Sequence, residues 1–328
     1  MKLRKHWLFP FALIFIVSIL LSFQLGRYSL SPLTVLKGLF GFSVSPQAKS
    51  IIFSLRMPRI VISLFIGAGL ALAGLVYQGI FQNPMVSPDM LGSTSGAGFG
   101  AALAILLGMN YFTITVTSFL FGLFAVAIVL LIARNVKGNP TLTLVLAGMM
   151  VSSVFSALIS FVKLVADPEE SLPQITYFLM GSMSSVRSED ILPTAILITL
   201  AIIPIVIFRW RLNVMTQGEE EAKALGVNTK ALRYACIISA TVITATATSL
   251  CGMISYVGLV IPHLVRMVLG CDYRRTVPAS ILLGSSFILL VDTVSRTLTT
   301  VELPLGILTS LIGAPFFLYL IIREGRKI

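Results

Sequence analysis

The sequence predicts an all-α integral membrane protein of about ten transmembrane helices with both termini in the cytoplasm, and three observations carry that expectation. Of 328 residues, 56% are hydrophobic and 11% are charged, with a mean hydropathy of +0.97, whereas ordinary soluble domains are roughly 25% charged. A water-soluble globule is excluded. Apolar runs such as Trp7 to Leu25 and Phe112 to Ala133 continue without the alternation of a β-barrel strand, and a bilayer-crossing helix needs about 20 such residues. Placing Met1 in the cytoplasm puts 16 of the 24 Lys and Arg on the inner side and 8 on the outer, the bias that cytoplasmic loops show. The net charge of +11 therefore reflects topology. It implies a lipid bilayer as partner and no nucleic acid.

Taken in order, the first span is expected near 7–25. Its basic flank resembles a signal peptide, but the run is too long and no small-x-small cleavage site follows. Spans near 60–81 and 90–109 are thinned by Gly67, Gly69, Ala71, Ala73 and Gly74, then by Gly92, Gly96 and Gly100. Spacings of three and four put these small residues on one helical face, suited to close helix packing or to a substrate path beside thin helices. Gly74 and Gly79 have the spacing of a phosphate-binding loop, but Ile80 and Phe81 stand where Lys and Ser/Thr are required. Between the two spans, the prolines of Gln82-Asn83-Pro84-Met85-Val86-Ser87-Pro88-Asp89 stop both helices. The resulting irregular inner turn is either a plain tight turn or a constriction on a transport path.

Spans near 112–133 and 141–165 follow, then Asp167-Pro168-Glu169-Glu170-Ser171-Leu172-Pro173 and a half-apolar stretch to Met183, expected as a helix lying along the outer surface. After a sixth span near 191–208, the loop from Arg209 to Arg233 is the most charged inner segment. Thr216 with Glu219 has capping-box spacing, Glu219, Glu220 and Glu221 sit where the helix dipole favours acids, and Gly226 is placed to end the helix. This is a short cytoplasmic helix between spans six and seven, either solvated or docked to a cytoplasmic partner. The last spans are expected near 234–249, 257–270, 277–295 and 304–322. No linker divides residues 1–328, which read as a single domain.

Little in the chain suggests catalysis. Cys236, Cys251 and Cys271 form no CxxC pair, so neither a disulfide framework nor a metal site is indicated. No HExxH, GxSxG or carboxylate pair lies within a span. His263, after Pro262, reads as a packed histidine. Arg56 and Arg59 at the outer start of the second span, and Arg296 at the outer end of the ninth, are either snorkelling anchors or groups with a functional task. An ion-coupled secondary transporter is expected to carry ionisable groups inside its spans, and the main candidate, Asp292, lies close to an outer end.

Several segments together resemble the membrane subunit of iron-siderophore and vitamin B12 type ABC importers. They are Leu55-Arg56-Met57-Pro58-Arg59, Gly67-Ala68-Gly69-Leu70-Ala71-Leu72-Ala73-Gly74, Gln78-Gly79-Ile80-Phe81-Gln82-Asn83-Pro84, Leu91-Gly92 and Ser95-Gly96-Ala97. Gly218-Glu219-Glu220-Glu221-Ala222, Leu225-Gly226-Val227, Val257-Gly258-Leu259-Val260-Ile261-Pro262-His263, Asp292-Thr293-Val294-Ser295-Arg296, Glu302-Leu303-Pro304-Leu305-Gly306 and Gly313-Ala314-Pro315-Phe316-Phe317 continue the pattern in order. Met57 and Met85 stand where Leu is usual, and Lys137 to Thr143 match only loosely. The resemblance implies a permease of the bacterial cytoplasmic membrane that pairs with a second permease, identical or paralogous, around a central path. It implies two ATPase subunits inside, which bind the ATP and Mg that this chain does not, and a substrate-binding protein outside. It assigns ATPase coupling to Glu219, Glu220, Glu221, Ala222, Leu225 and Gly226, path closure to Asn83, Pro84 and Met85, and binding-protein docking to Arg56, Arg59 and Arg296. The expected cargo is a ferric siderophore moved by alternating access, with haem or cobalamin as alternatives.

Overall fold

The computed structural model describes residues 7–136 and 138–325. Six of the inner basic residues counted above, Lys2, Arg4, Lys5, Lys137, Arg326 and Lys327, lie outside the described residues. Every expected apolar run is a helix, and no strand occurs among the described residues. Helix α1 (Phe9–Gln24) runs to the outer side, where α2 (Pro32–Leu39) and α3 (Pro46–Ser50) follow, each with a serine N-cap and Pro in its first turn.

The chain then passes through a π-helical turn, Ile51–Arg56, straight into α4 (Met57–Ile80). The second span was expected to start near residue 60, but the helical path runs unbroken from Pro46 to Ile80. The reason is local: Pro58 has no N–H to donate, and the turn before it widens so that the Met57 N–H bonds Ile52 O. A 3-10 turn, Pro88–Leu91, leads to α5 (Ser93–Leu106), and α6 (Tyr111–Asn135) and α7 (Pro140–Val165) form a helical pair behind it.

Helix α8 (Ser171–Met180) corrects the sequence reading. It does not lie along the surface. Ile175 is buried among Ala102, Ile105 and Val162, and one turn later Leu179 faces Gly98, so α8 descends antiparallel beside α5. Its end meets the interior: Ser182 N–H donates to Cys251 O at 2.8 Å. The remaining helices are α9 (Ile191–Met215), α10 (Glu219–Ala224), α11 (Thr229–Cys251), α12 (Val257–Leu269), α13 (Tyr273–Ser295) and α14 (Leu305–Gly325).

Helix α4 is the axis of the molecule, with 83% of its apolar window buried against α13, α11, α9 and α12. Glycine makes this possible. A Cβ on Gly67 would stand 2.2 Å from Gly284 O of α13, and one on Gly74 only 1.7 Å from Gly258 O of α12. Gly96 and Gly100 likewise admit the α6 carbonyls of Phe121 and Thr117. The small residues are therefore packing contacts, the first of the two readings above.

Three expected spans are short. With 16, 14 and 13 residues, α1, α5 and α12 are about 24, 21 and 20 Å long at ~1.5 Å per residue, less than the roughly 30 Å hydrocarbon core. Helix α12 starts beside Leu70 and Gly74, near the middle of α4. The non-helical chain from Gly252 to Tyr256 that precedes it is covered by protein, with Met253 O against Gly181 and Gly306, as irregular backbone at membrane depth requires.

Candidate functional site

At the outer end, the π turn, the first turn of α4 and the α13 C-terminus gather the three arginines of the docking expectation around one cavity of about 310 Å³, shared with Arg27, Ser184 and Glu302. They are not free rim charges. Arg56, 4% exposed, donates to Phe23 O and Tyr28 O. Arg296, 6% exposed, donates to Ser22 O at 2.7 Å and Ser22 Oγ at 2.6 Å, so these two side chains pin the end of α1. Arg59 donates to Asp292 Oδ1 at 2.7 Å and to both oxygens of Glu302 at 2.9 Å. Asp292 is fully buried, with the Arg296 guanidinium 3.4 Å from its second oxygen. A buried carboxylate between two guanidiniums is a structural tie of α4 to α13; all three arginines line the cavity, and Arg59 does so with a part-exposed partner, Glu302.

At the inner end, α10 bridges α9 and α11. Its N-cap is Gly218, whose φ of 139° suits only glycine, and Thr216 Oγ1 donates instead to Asn213 O at 2.7 Å. The expected capping box therefore does not form. The three glutamates have different tasks. Glu219 Oε2 accepts from Arg233 at 2.6 Å and Oε1 from Thr229 at 3.2 Å, with Arg233 only 5% exposed. Burial pushes the Glu219 carboxyl up, but the Arg233 and Thr229 hydrogen bonds and the Lys223 charge hold it below the usual glutamate range. Glu220 and Glu221 are exposed, as are Leu225 and Gly226, while Ala222 is fully buried and anchors the helix. Gly226, with φ of 78°, ends the segment as anticipated.

The inner turn is tight and well tied. Gln82 Nε2 donates to Met215 O at 2.9 Å and Asn83 Oδ1 accepts from Met85 N–H at 2.9 Å. Behind it, Gln78 Nε2 donates to Val86 O at 3.3 Å and Gly258 O at 3.2 Å, and Gln78 Oε1 accepts from Arg266. The buried Gln78 thus joins the turn to the start of α12. Asn83, Pro84 and Met85 form the exposed inner edge, and Val86 seals it from within at 2% exposure.

Two further surfaces carry no motif in the sequence. A cavity of about 630 Å³ opens between α6, α9 and α11 in the outer half, where Tyr111 donates to Asp190 at 2.8 Å and Arg187 stacks 4.6 Å from the Tyr111 ring centre. On α7, Met149, Met150, Ser153, Ser156 and Ser160 are exposed around mid-membrane, and the Ser153 and Ser160 hydroxyls bond back to Met149 O and Ser156 O. Among the described residues, no group of His, Cys, Asp and Glu could hold a metal ion.

Comparison with known proteins agrees with this architecture. The FecCD transport family pattern matches residues 14–323. The chain is similar to the molybdate import system permease protein MolB of Haemophilus influenzae (39% identity over 323 residues, 97% of this chain and 96% of that protein). It is also similar to a probable iron chelatin transport system permease protein of Helicobacter pylori (38%, 83% and 82%) and to the hemin transport system permease protein HmuU of Yersinia pestis (31%, 99% and 98%). A solved metal-chelate type ABC transporter in an inward-facing conformation superposes with a TM-score of 0.88 at 39% identity, over 96% of this chain and 98% of that one. The chain belongs to the FecCD transport family and is the membrane-spanning permease of an ABC importer.

Proposed function

We propose that this permease carries a ferric siderophore across a bacterial cytoplasmic membrane by alternating access, paired with a second permease. The observation that carries the cargo assignment is the exposed face of α7. From Leu142 to Phe161 it holds Met, Ser, Ala, Leu, Val and Phe and no charge. Such a face suits a bulky chelate whose metal charge is already enclosed by its own ligands, and relatives named for iron chelatin and hemin support this reading. Molybdate is the second reading, favoured by the Haemophilus influenzae relative; haem and cobalamin remain the alternatives within the chelate class. Glu220, Glu221, Leu225 and Gly226 form the exposed edge of α10 to which a separate ATP-hydrolysing subunit docks, with Glu219 and Ala222 holding that edge in place. Asn83, Pro84 and Met85 close the path at the inner side. Arg59, with Glu302, is the group of the outer cavity that meets a substrate-binding protein, and Arg56 and Arg296 shape its wall.

The test is uptake into proteoliposomes that contain the permease with its ATPase and binding protein. Radio-iron delivered as a siderophore complex should accumulate only with internal ATP. Accumulation of labelled molybdate without iron would move the assignment to the second reading, and uptake driven by an ion gradient without ATP would overturn both.

A further inference from the structure

At the cytoplasmic end, α6, the start of α7 and the first turns of α11 enclose a cavity of about 270 Å³ lined by Arg134, Lys230, Arg233, Tyr234, Pro140 and Leu144 among others, with no carboxylate among the described residues of its wall. Arg134 and Lys230 are exposed and take part in no ion pair among the described residues. Arg233 is 5% exposed, and although one terminal nitrogen holds Glu219, its Nε is buried with no hydrogen-bond partner. Three cations thus converge on a space where one donor is left unsatisfied, an arrangement that costs free energy unless an anion fills it. The surface leading into the cavity is apolar: Leu131, Ile132, Val136, Leu142 and Ile238 are all exposed, as membrane contact demands. Tyr234, 42% exposed, stands at the mouth, where aromatic residues mark the height of lipid headgroups.

We propose that this cavity binds the phosphate-bearing headgroup of an anionic phospholipid from the cytoplasmic leaflet, with its acyl chains along the apolar surface of α6 and α11. Basic pockets between membrane helices on the cytoplasmic side favour such headgroups. A soluble phosphate ester would satisfy the cations but would leave the adjoining apolar surface without a role. Because Arg233 also clamps Glu219, the headgroup sits one side chain away from α10.

Native mass spectrometry of the full-length chain, titrated with dioleoyl-phosphatidylglycerol, dioleoyl-phosphatidylcholine or inorganic phosphate, decides the matter. The wild type should retain phosphatidylglycerol and not phosphatidylcholine. The exposed pair Arg134→Gln with Lys230→Gln should weaken phosphatidylglycerol binding about 30-fold, whereas Arg209→Gln with Arg211→Gln, the same charge loss elsewhere on the inner side, should leave it unchanged. If the pocket pair misfolds, judged by its melting temperature in phosphatidylcholine, Lys230→Gln alone should weaken binding about five-fold. Equal retention in the pocket variants and the wild type overturns the proposal. So does equal weakening in the Arg209 and Arg211 variant, which would mean general surface attraction, and so does displacement of phosphatidylglycerol by millimolar inorganic phosphate, which would mean a free-anion site.

Discussion

Replacing Glu219 with Ala tests whether one ion pair holds α10 in place. The helix has six residues, far below the ~12–15 at which an isolated helix becomes even marginal in water, so its position depends on tertiary ties. These are the buried Ala222 and the Glu219 carboxylate, which bonds Arg233 at 2.6 Å and Thr229 at 3.2 Å. Removing one partner of a fully buried pair costs about 3–5 kcal/mol, while a hydrogen bond to a charged group contributes about 1.5–3 kcal/mol. Glu219 is 28% exposed and Arg233 6% at the side chain, so the lower range applies, about 2 kcal/mol. That corresponds to about a 30-fold rise in the open population of the segment. Hydrogen exchange of the Glu219 to Gly226 amides in the full-length chain should accelerate by that factor. Glu220→Ala is the control: its side chain is 85% exposed and, among the described residues, pairs with the half-exposed Lys223 alone, and such surface pairs contribute little to stability. Equal exchange in the two variants would refute the clamp and leave the three glutamates interchangeable.

Other outcomes follow from the same geometry. The Glu219 carboxyl titrates below its ordinary value of 4.5, so the clamp is fully present above that pH and is lost as pH falls through the lowered folded value; exchange in Glu219→Ala should show no such acid step. Gly74→Ala places a Cβ 1.7 Å from Gly258 O and should cost about 1–3 kcal/mol or more through overpacking, read as a lower melting temperature. Asp292→Asn leaves Arg59 and Arg296 short of a buried counter-charge and should cost about 3 kcal/mol, whereas Glu302→Gln, 21% exposed, should cost about 1 kcal/mol; thermal unfolding separates the two. Cysteines placed at Asn83 and Met85 should react with a membrane-impermeant thiol reagent to different extents with and without ATP in the assembled importer. Labelling that ignores nucleotide would return this turn to a passive connection.

The ten apolar runs were legible because hydropathy is a property of each segment by itself. Pairing is not. Arg56, Arg59 and Arg296 look like interface anchors along the chain, and nothing local reveals that Arg59 meets Asp292, 233 positions away, or that Arg296 reaches back to Ser22. The descent of α8 was missed for a related reason: ten half-apolar residues, with Pro168 before them and Pro173 in their first turn, suggest an amphipathic surface helix until Gly98 and Ile175 are seen to face the same interior. Likewise Arg233 counted as one more inner charge, although it stands four positions after Thr229, on the same helical face, and both bond Glu219. The shortness of α12 had a signal in the Gly252 and Ser255 that dilute its approach, and the run from Val257 to Gly270 obscured it.

The seat of α14 sets an order of events. Leu305 N–H donates to Gly181 O at 2.7 Å, and Gly306 lies against the carbonyls of Met180 and Met253, where a Cβ would come within 2.5 Å and 2.7 Å. The platform that receives the last helix is thus built from the foot of α8 and the chain just beyond α11, both already made when Leu305 leaves the ribosome. Synthesis from the N-terminus delivers the platform first. A nascent chain halted before Leu305 would leave Gly181 O without this donor at membrane depth, where an unpaired carbonyl is costly, so the platform is completed only by the helix it receives.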